Sequence, residues 1–535
     1  MMNRRTLLRS ATLLAGGLML PALPLRAQQA QDAAAPFSFD ALIQRAKDMA
    51  QAPYEPPMMP DPEIVQQINY QRHGELKFHT ATARFSGQPD TGDVKGYPLE
   101  FFPLGMYAPK RVRMFVVENG QSSEVHYNPA LFDMPADNPA RKLPSDAGFA
   151  GFRLQEWYTE DDWTKQDWVA FQGASYFRAI GADGQYGLSA RGIVINAAIP
   201  DGPEEFPDFK EFYIEQQPGG TPDSPVTVHA LLDGPSVTGA YRIKMTRGLD
   251  RTKGVIMEVE AKVFLREDVE RLGLMPMTSM FWFSEYGRDR LIDWRPEVHD
   301  SDGLSMWSGT GERIWRPLNN PDATRVAAFG DENPRGFGLS QRDRNFDHYQ
   351  DGVFYDRRPS LWVEPLAPLG KGAVQLMEIP TDDEINDNIG AFWVPEAPSV
   401  KGNSYDLHYR LYWQNTEPFP ATNIAQTRAT RIGRGGQPGH PRPAGVYHFA
   451  VEFDRPEVMK QIPYGVFPDV MVTASNGTVS RTFAEPVPNG NIWRANFDLA
   501  LEEGQLTDLR MYMALDGKPL TETWLYQFRS DWAFD

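Results

Sequence analysis

The sequence predicts an all-β protein of two sandwiches, a large N-terminal one and a small C-terminal one. Three observations predict it. Glycine and proline number 45 each in 535 residues, too many for a helical bundle and suited to a chain that turns often. Apolar residues recur with period two. Tyr241, Ile243 and Met245 alternate with Arg242 and Lys244, and Met257, Val259, Ala261 and Val263 alternate with Glu258, Glu260 and Lys262, as half-buried antiparallel strands require. Near the C-terminus the alternation resumes at Tyr447, Phe449, Val451 and Phe453, followed by the hairpin signals Asn476-Gly477 and Asp516-Gly517. Short strands at that spacing suit an immunoglobulin-like sandwich.

The elements follow in order. Residues 1–27 have a basic head, Arg4-Arg5, an apolar stretch from Thr12 to Leu20 and an end at Ala27. That is a secretory leader, too short for a membrane span, and Arg4-Arg5 before Thr6-Leu7-Leu8 resembles a twin-arginine signal. Its removal takes the net charge from −18 to −22, because it holds four arginines and no acid. A soluble periplasmic protein is expected. Residues 28–36 read as disordered. "SFDALIQRAKDMAQ" reads as a helix capped by Ser38 or Asp40, with Leu42, Ile43, Ala46, Met49 and Ala50 on one face. The large sandwich is assigned to 36–415 and the immunoglobulin-like domain to 445–535. Residues 416–444 lack an apolar period and are rich in Pro, Gly and Arg, which reads as an interdomain loop. Its Arg428, Arg431 and Arg434 could pair with an acidic site in cis or in trans.

Composition excludes several function classes. A net charge of −18 makes a poor nucleic-acid binder, because phosphate contacts need clustered Lys and Arg. With no cysteine there is no disulfide, thiolate nucleophile or Cys–metal site. The nine His show no metal-ligand spacing, and "DDEINDNIG" lacks the glycine and distal glutamate of an EF-hand. No metal and no cofactor are expected.

The chemistry concentrates in acids set beside aromatics. "TDDEINDNIGAFWVP" carries Asp382, Asp383, Glu384 and Asp387 just before Phe392 and Trp393. "IDWRPEVHDSDGLSMWSG" carries Asp293, Glu297, Asp300 and Asp302 with Trp294 and Trp307. A glycosidase needs one protonated carboxyl for the leaving oxygen, and an inverting one needs a second, ionised carboxylate for water. Like charges and apolar walls raise a carboxyl's pKa, so crowding beside Phe392 and Trp393 would keep one acid protonated. The bland alternative is a solvated acidic turn before a strand. "DGVFYDRRPSLWVEP" adds Tyr355, Arg357 and Arg358, and arginine forks bind hydroxyls or hold a carboxylate ionised. His299 beside Asp300 reads as a structural hydrogen-bonder.

Eight stretches together resemble the periplasmic glucan biosynthesis protein family (MdoG/OpgG–OpgD): "FSFDALIQRAKDMA", "SMFWFSEYG", "RPEVHDSDGL", "FGLSQRDRNFDHYQD", "YDRRPSLWVEP", "EINDNIGAFWVP", "YRLYWQ" and "ATRIGRGG". They span nearly all of the mature chain, and the twin-arginine-like leader favours the D branch. The resemblance implies an N-terminal sandwich similar to galactose-mutarotase folds and a C-terminal immunoglobulin-like domain. It implies action on osmoregulated periplasmic glucan, whose backbone is β-1,2-linked glucose, as an inverting endo-β-1,2-glucanase or an inverting transglycosylase. Matched by motif, Asp387 would be the general acid and Asp300 the general base, acting directly or through a relay. Glu384, Tyr355 and Arg358 would bind sugar or support the proton path, with Trp294 and Trp307 as stacking residues. Candidate partners are β-1,2-glucan, a membrane glucan synthase and a second copy in a homodimer, with nucleic acid excluded. The alternative function is a non-catalytic escort that binds glucan for the synthase.

Overall fold

The computed structural model describes residues 34–85, 96–157, 166–200, 202–217, 219–248, 250–287, 293–418, 423–437, 439–454, 456–488 and 491–530; the leader at 1–27 lies outside them. The fold is nearly all β. The longest helix among the described residues, Phe39–Ala50, begins where Ser38 accepts a hydrogen bond from the Ala41 amide at 3.2 Å. Leu42, Ala46 and Ala50 are its buried face. Thr238 of the underlying strand donates to the Ala46 carbonyl at 2.7 Å and pins the helix to the sheet. Ala35 and Pro36, expected to be disordered, instead pair with Ser122 and Gln121 as an edge strand, a position where a proline's missing N–H costs nothing.

Two large sheets face each other. In the first, of sixteen strands, Val237–Thr246, Val255–Leu265, Ser404–Gln414, Ser360–Pro365, Gly336–Ser340, Gly303–Trp307 and Arg313–Pro317 lie side by side. The second, of ten strands, places Lys371–Glu378, Ile389–Pro395, Leu272–Ser279, Ser189–Arg191, Tyr176–Ala179 and Asp167–Gln172 in that spatial order. Val255–Leu265 shows why the layers form: every odd residue is buried and every even one half-buried. A one-residue slip would turn the whole apolar set to water, so the register is strongly specified. Between the sheets Phe171 meets Phe212 at 5.7 Å. Trp413 meets Phe177 at 6.3 Å and donates its indole N–H to the Leu188 carbonyl at 3.1 Å. Burying one such ring contributes about 2–3 kcal/mol.

A second core forms the immunoglobulin-like sandwich. Thr427–Arg434, Val446–Asp454, Ile492–Ala500 and Thr478–Pro486 make a four-stranded sheet. It packs on Thr523–Arg529, Leu506–Leu515 and Asp469–Ala474 through Phe449 and Phe528 (5.2 Å) and Phe497 and Trp524 (6.2 Å). Those three strands continue the sixteen-stranded sheet, because Arg313–Pro317 pairs in parallel with Thr523–Arg529, Ile314 opposite Thr523 and Trp315 opposite Trp524. Arg342 reinforces the seam. Its guanidinium lies 3.8 Å from the centre of the Trp315 ring and pairs with Glu417 at 2.7 Å and Glu522 at 2.6 Å. All three charged side chains are about 5% exposed. Removing one member of such a buried set costs about 3–5 kcal/mol, since the others keep uncompensated charge.

Three further sequence expectations need correction. The 416–444 segment is not all loop, because Thr427–Arg434 is a strand of the four-stranded sheet. Its buried positions are Thr427 and Thr430 rather than aliphatics, so no apolar alternation announced it. The Thr427 amide donates to Glu522 at 2.6 Å, and Trp524 donates to the Thr430 hydroxyl at 3.0 Å. Two arginines of this strand are engaged within the small sandwich and not with the acidic site of the same chain: Arg428 pairs with Asp454 at 3.1 Å and Arg431 with Glu452 at 3.5 Å, both on the neighbouring strand. Asp516-Gly517 does turn a hairpin, both residues in the left-handed region. Asn476-Gly477 instead carries the chain between sheets, from Asp469–Ala474 to Thr478–Pro486, which do not pair.

Candidate functional site

Residues 278–281 form a rail that holds both candidate aspartates. On one side the Ile389–Pro395 strand pairs with it, Thr278 opposite Gly390 and Ser279 opposite Ile389. Just before that strand the buried Asn388 side chain accepts from the Phe281 amide at 2.8 Å and donates to the Phe281 carbonyl at 2.9 Å. With Asn388 turned inward, the preceding Asp387 is turned out. Its Oδ2 accepts from the Tyr176 hydroxyl at 2.9 Å and from the Thr278 hydroxyl at 3.1 Å. On the other side of the rail the Asp300 amide donates to the Met280 carbonyl at 2.8 Å, and Ser301 and Ser279 share a 2.7 Å hydroxyl contact.

Asp300 is buried and ion-paired with Arg358. Arg358 leaves a short helical turn, Tyr355–Arg357, entered through a left-handed Phe354. The chain there runs close to Gly181 and Gly187, where an added Cβ would come within 2.8 Å of Pro359 and 3.0 Å of Arg358. Burial draws the Arg358 guanidinium down to about 10, against the opposing charges of Glu384 and Asp387 and with help from Arg178. It stays cationic at neutral pH, over the Tyr355 ring at 4.1 Å.

Glu384 is held differently. One of its oxygens accepts from the Tyr355 hydroxyl at 2.7 Å and from Arg295 at 2.6 Å. Arg295 also grips Asp293 with two donors at 3.0 Å and Asp351 at 3.2 Å. One guanidinium thus ties together three segments, around 293, 351 and 384. These carboxylates, the Asp293 bonds foremost, hold Arg295 well above its ordinary value. Exposed apolar side chains project beside each segment: Trp294 (65% exposed), Val353 (48%) and Ile385 (79%).

The crowding inferred for 382–387 is therefore resolved by giving Glu384 and Asp387 separate partners, not by an apolar wall. Phe392 and Trp393 are buried within the sheet behind, whereas Asp387 is exposed. Of the seven site residues expected from sequence, Asp300, Arg358, Tyr355, Glu384, Asp387 and Trp294 gather around this rail and the Arg295 cluster. Trp307 is engaged differently: it ends the Gly303–Trp307 strand, clasped by Arg313 at 3.4 Å and Arg335 at 5.1 Å. Three contributors escaped the sequence reading. Arg295 stood inside the quoted "RPEVHDSDGL" without a role, and neither Tyr176 nor Thr278 lies near a charged motif.

Behind Asp300 sits a buried polar layer. His299 is 0% exposed, its two ring nitrogens facing Glu297 at 3.0 Å and the Gln341 side-chain oxygen at 2.9 Å. Gln341 presents oxygen because its nitrogen donates to the carbonyls of His299 and Tyr355. Two acceptors require two ring protons. Burial alone depresses the imidazolium, but Glu297, Asp302 and Gln341 outweigh it and raise His299 from 6.5 to about 9. His299 is thus a structural cation. Glu285, which accepts from the Thr430 amide at 2.8 Å, is likewise pushed up by burial and the Glu297 charge. Both groups bind more protons folded than unfolded. The His299 contribution is full below pH 6.5 and lost as pH rises through 9, and that of Glu285 is full below 4.5 and lost as pH rises through about 8. Thermal unfolding should therefore show stability falling from pH 6.5 to 9, by about 3 kcal/mol for His299 at ~1.4 kcal/mol per pH unit. His299→Gln should flatten that decline; an unchanged pH slope in the variant would contradict the imidazolium.

One group among the described residues could hold a metal: Glu297, Asp343 and His348 offer ligand atoms within 4.8 Å of one another. These atoms are engaged with each other and with His299, His348 pairing with Asp343 and Glu297 with His299. No helix among the described residues is long and apolar enough to cross a membrane.

Comparison with known proteins finds three agreements. Residues 37–528 match the family model described as periplasmic glucan biosynthesis protein, MdoG. The chain is 53% identical to glucans biosynthesis protein D 2 of Ralstonia nicotianae, covering 99% of this chain and 98% of that one. It is 43% identical to glucans biosynthesis protein D of Stenotrophomonas maltophilia and of Xanthomonas oryzae pv. oryzae, in each case over 98% of both chains.

Proposed function

This chain belongs to the periplasmic glucan biosynthesis protein family, MdoG, and from that premise we propose that it cleaves or transfers β-1,2-linked glucan with inversion in the periplasm. Asp387 is the general acid and Asp300 the general base. The observation that carries the reading is the contrast between their partners on one rail. Asp300 is paired with a guanidinium, which suits a carboxylate that must be ionised to accept a proton. Among the described residues Asp387 has neutral hydroxyls as its hydrogen-bond partners and no ion pair, as suits a carboxyl that must donate a proton.

In the reaction Asp387 protonates the leaving glycosidic oxygen while Asp300 takes the proton of the attacking water, directly or through a relay of hydroxyls. Attack on the face opposite the leaving group inverts the anomeric carbon. With a sugar hydroxyl in place of water, the same geometry makes a new linkage of inverted configuration. Arg358 holds Asp300, the Arg295 cluster holds Glu384, and Trp294 offers an exposed ring for a sugar face. Glucan and the escort function share the same binding surface, so product formation separates them.

The test is incubation with linear β-1,2-glucan, with products sized and the first-formed anomer followed by NMR. Shortened or transferred chains are expected, the hydrolytic product appearing first as the α-anomer. A β-anomer first, or a covalent glycosyl adduct on either aspartate, would overturn inversion and leave the substrate intact. Binding with no product at all would favour the non-catalytic escort.

A further inference from the structure

We propose that the hydroxyls of Tyr176 and Thr278 seat the Asp387 carboxyl so that Oδ1 carries the transferable proton and Oδ2 takes up the charge left behind. This rests on Asp387 as general acid and names the groups that make it one.

The two hydroxyls come from strands on either side of Ser189–Arg191. Tyr176 lies opposite Arg191 and Thr278 opposite Ser189, so three adjacent strands meet under the Asp387 side chain. Both hydroxyls reach the same oxygen, at 2.9 and 3.1 Å. A neutral carboxyl's carbonyl oxygen has two lone pairs, and two donors occupy both. The proton therefore belongs on Oδ1, the oxygen these hydroxyls leave unengaged. When it transfers, the Oδ1–H bond breaks, an O–H bond forms on the leaving glucosyl oxygen, and the C1–O electron pair moves to that oxygen. The carboxylate that remains is anionic, and its bonds to the two hydroxyls strengthen. The hydroxyls thus favour the charge-separated transition state over the neutral ground state.

The surroundings suit the task. Burial and the Asp387 charge push the Tyr176 phenol above its ordinary value, so it remains a proton donor throughout the working pH range. The Arg191 guanidinium lies 5.0 Å from the Tyr176 ring centre and 4.8 Å from that of Phe206. Tyr176 is thereby fixed as a positioning residue, and two cations, Arg191 and Arg358, face the Asp387 charge.

The experiment compares Tyr176→Phe, Thr278→Val and Asp387→Asn on linear β-1,2-glucan and on an aryl β-1,2-gluco-oligosaccharide whose leaving group needs no protonation. Tyr176→Phe should lose about 10–100-fold in kcat on glucan and much less on the aryl substrate. Losing a donor to the carboxylate weakens the acid, so the alkaline limb of its kcat profile should move to higher pH. Thr278→Val should shift the same way, and Thr278→Ser should restore the wild-type profile. Equal losses on both substrates with an unmoved alkaline limb would mean that the hydroxyl only supports the loop, and the proposal falls. It also falls, with the acid reading intact, if Tyr176→Phe behaves as wild type while Asp387→Asn is inactive on glucan. If Asp387→Asn itself cleaves glucan, the acid reading falls and takes this proposal with it.

Discussion

Asp387→Asn is expected to fold as the wild type does and to lose about 10²–10⁴-fold in glucan cleavage, the usual contribution of a general acid. The stability half of this expectation follows from the surroundings. Asp387 is exposed and forms no ion pair among the described residues, and an amide oxygen can still accept from Tyr176 and Thr278. The activity half follows from the chemistry, since an amide has no proton to give the leaving oxygen. An unchanged melting temperature with turnover reduced by two or more orders of magnitude would agree. Turnover near wild type would remove Asp387 from the mechanism.

Asp300→Asn should be equally damaging to turnover but should differ in a second observable. Asp300 is buried and neutralises Arg358. Its amide leaves that guanidinium without its direct ion pair, with only the more distant charges of Glu384 and Asp387 facing it, at a cost of about 1–3 kcal/mol. A lower melting temperature is therefore expected for Asp300→Asn and not for Asp387→Asn, while glucan binding, read calorimetrically, should persist in both. If the two variants lose activity but melt alike, Arg358 does not depend on Asp300 as the geometry requires. If Asp300→Asn turns over glucan at the wild-type rate, another group accepts the water proton.

What could be read in the sequence was whatever is local. Alternation over Val255–Leu265, the helix cap at Ser38 and the Asp516-Gly517 hairpin all depend on residues within a few positions of each other, and each stands in the structure as expected. Asp300, Arg358, Tyr355, Glu384 and Asp387 stood in acid-rich or arginine-bearing stretches, and the family resemblance singled them out within these. Their grouping on the 278–281 rail was not legible, because it depends on pairing partners about a hundred positions apart. Tyr176 was invisible for a related reason. A tyrosine on a strand reads as packing until the strand order places its hydroxyl under Asp387. The Thr427–Arg434 strand was missed because its inward positions are threonines, the Thr427 amide bonded to Glu522 and the Thr430 hydroxyl to Trp524.

The parallel pairing of Arg313–Pro317 with Thr523–Arg529 has a consequence for how the chain is made. Synthesis is vectorial, and the strand that covers Trp315 is made about two hundred positions after it. Until then Arg313–Pro317 is an open β-edge beside apolar side chains, the kind of template that recruits other chains. The roughly two hundred residues between the two strands include strands of both large sheets, and a pairing across so long a separation is slow by its topology. The nascent protein therefore has an interval, ending only when Thr523–Arg529 has been made and paired, in which a chaperone on this edge would matter most.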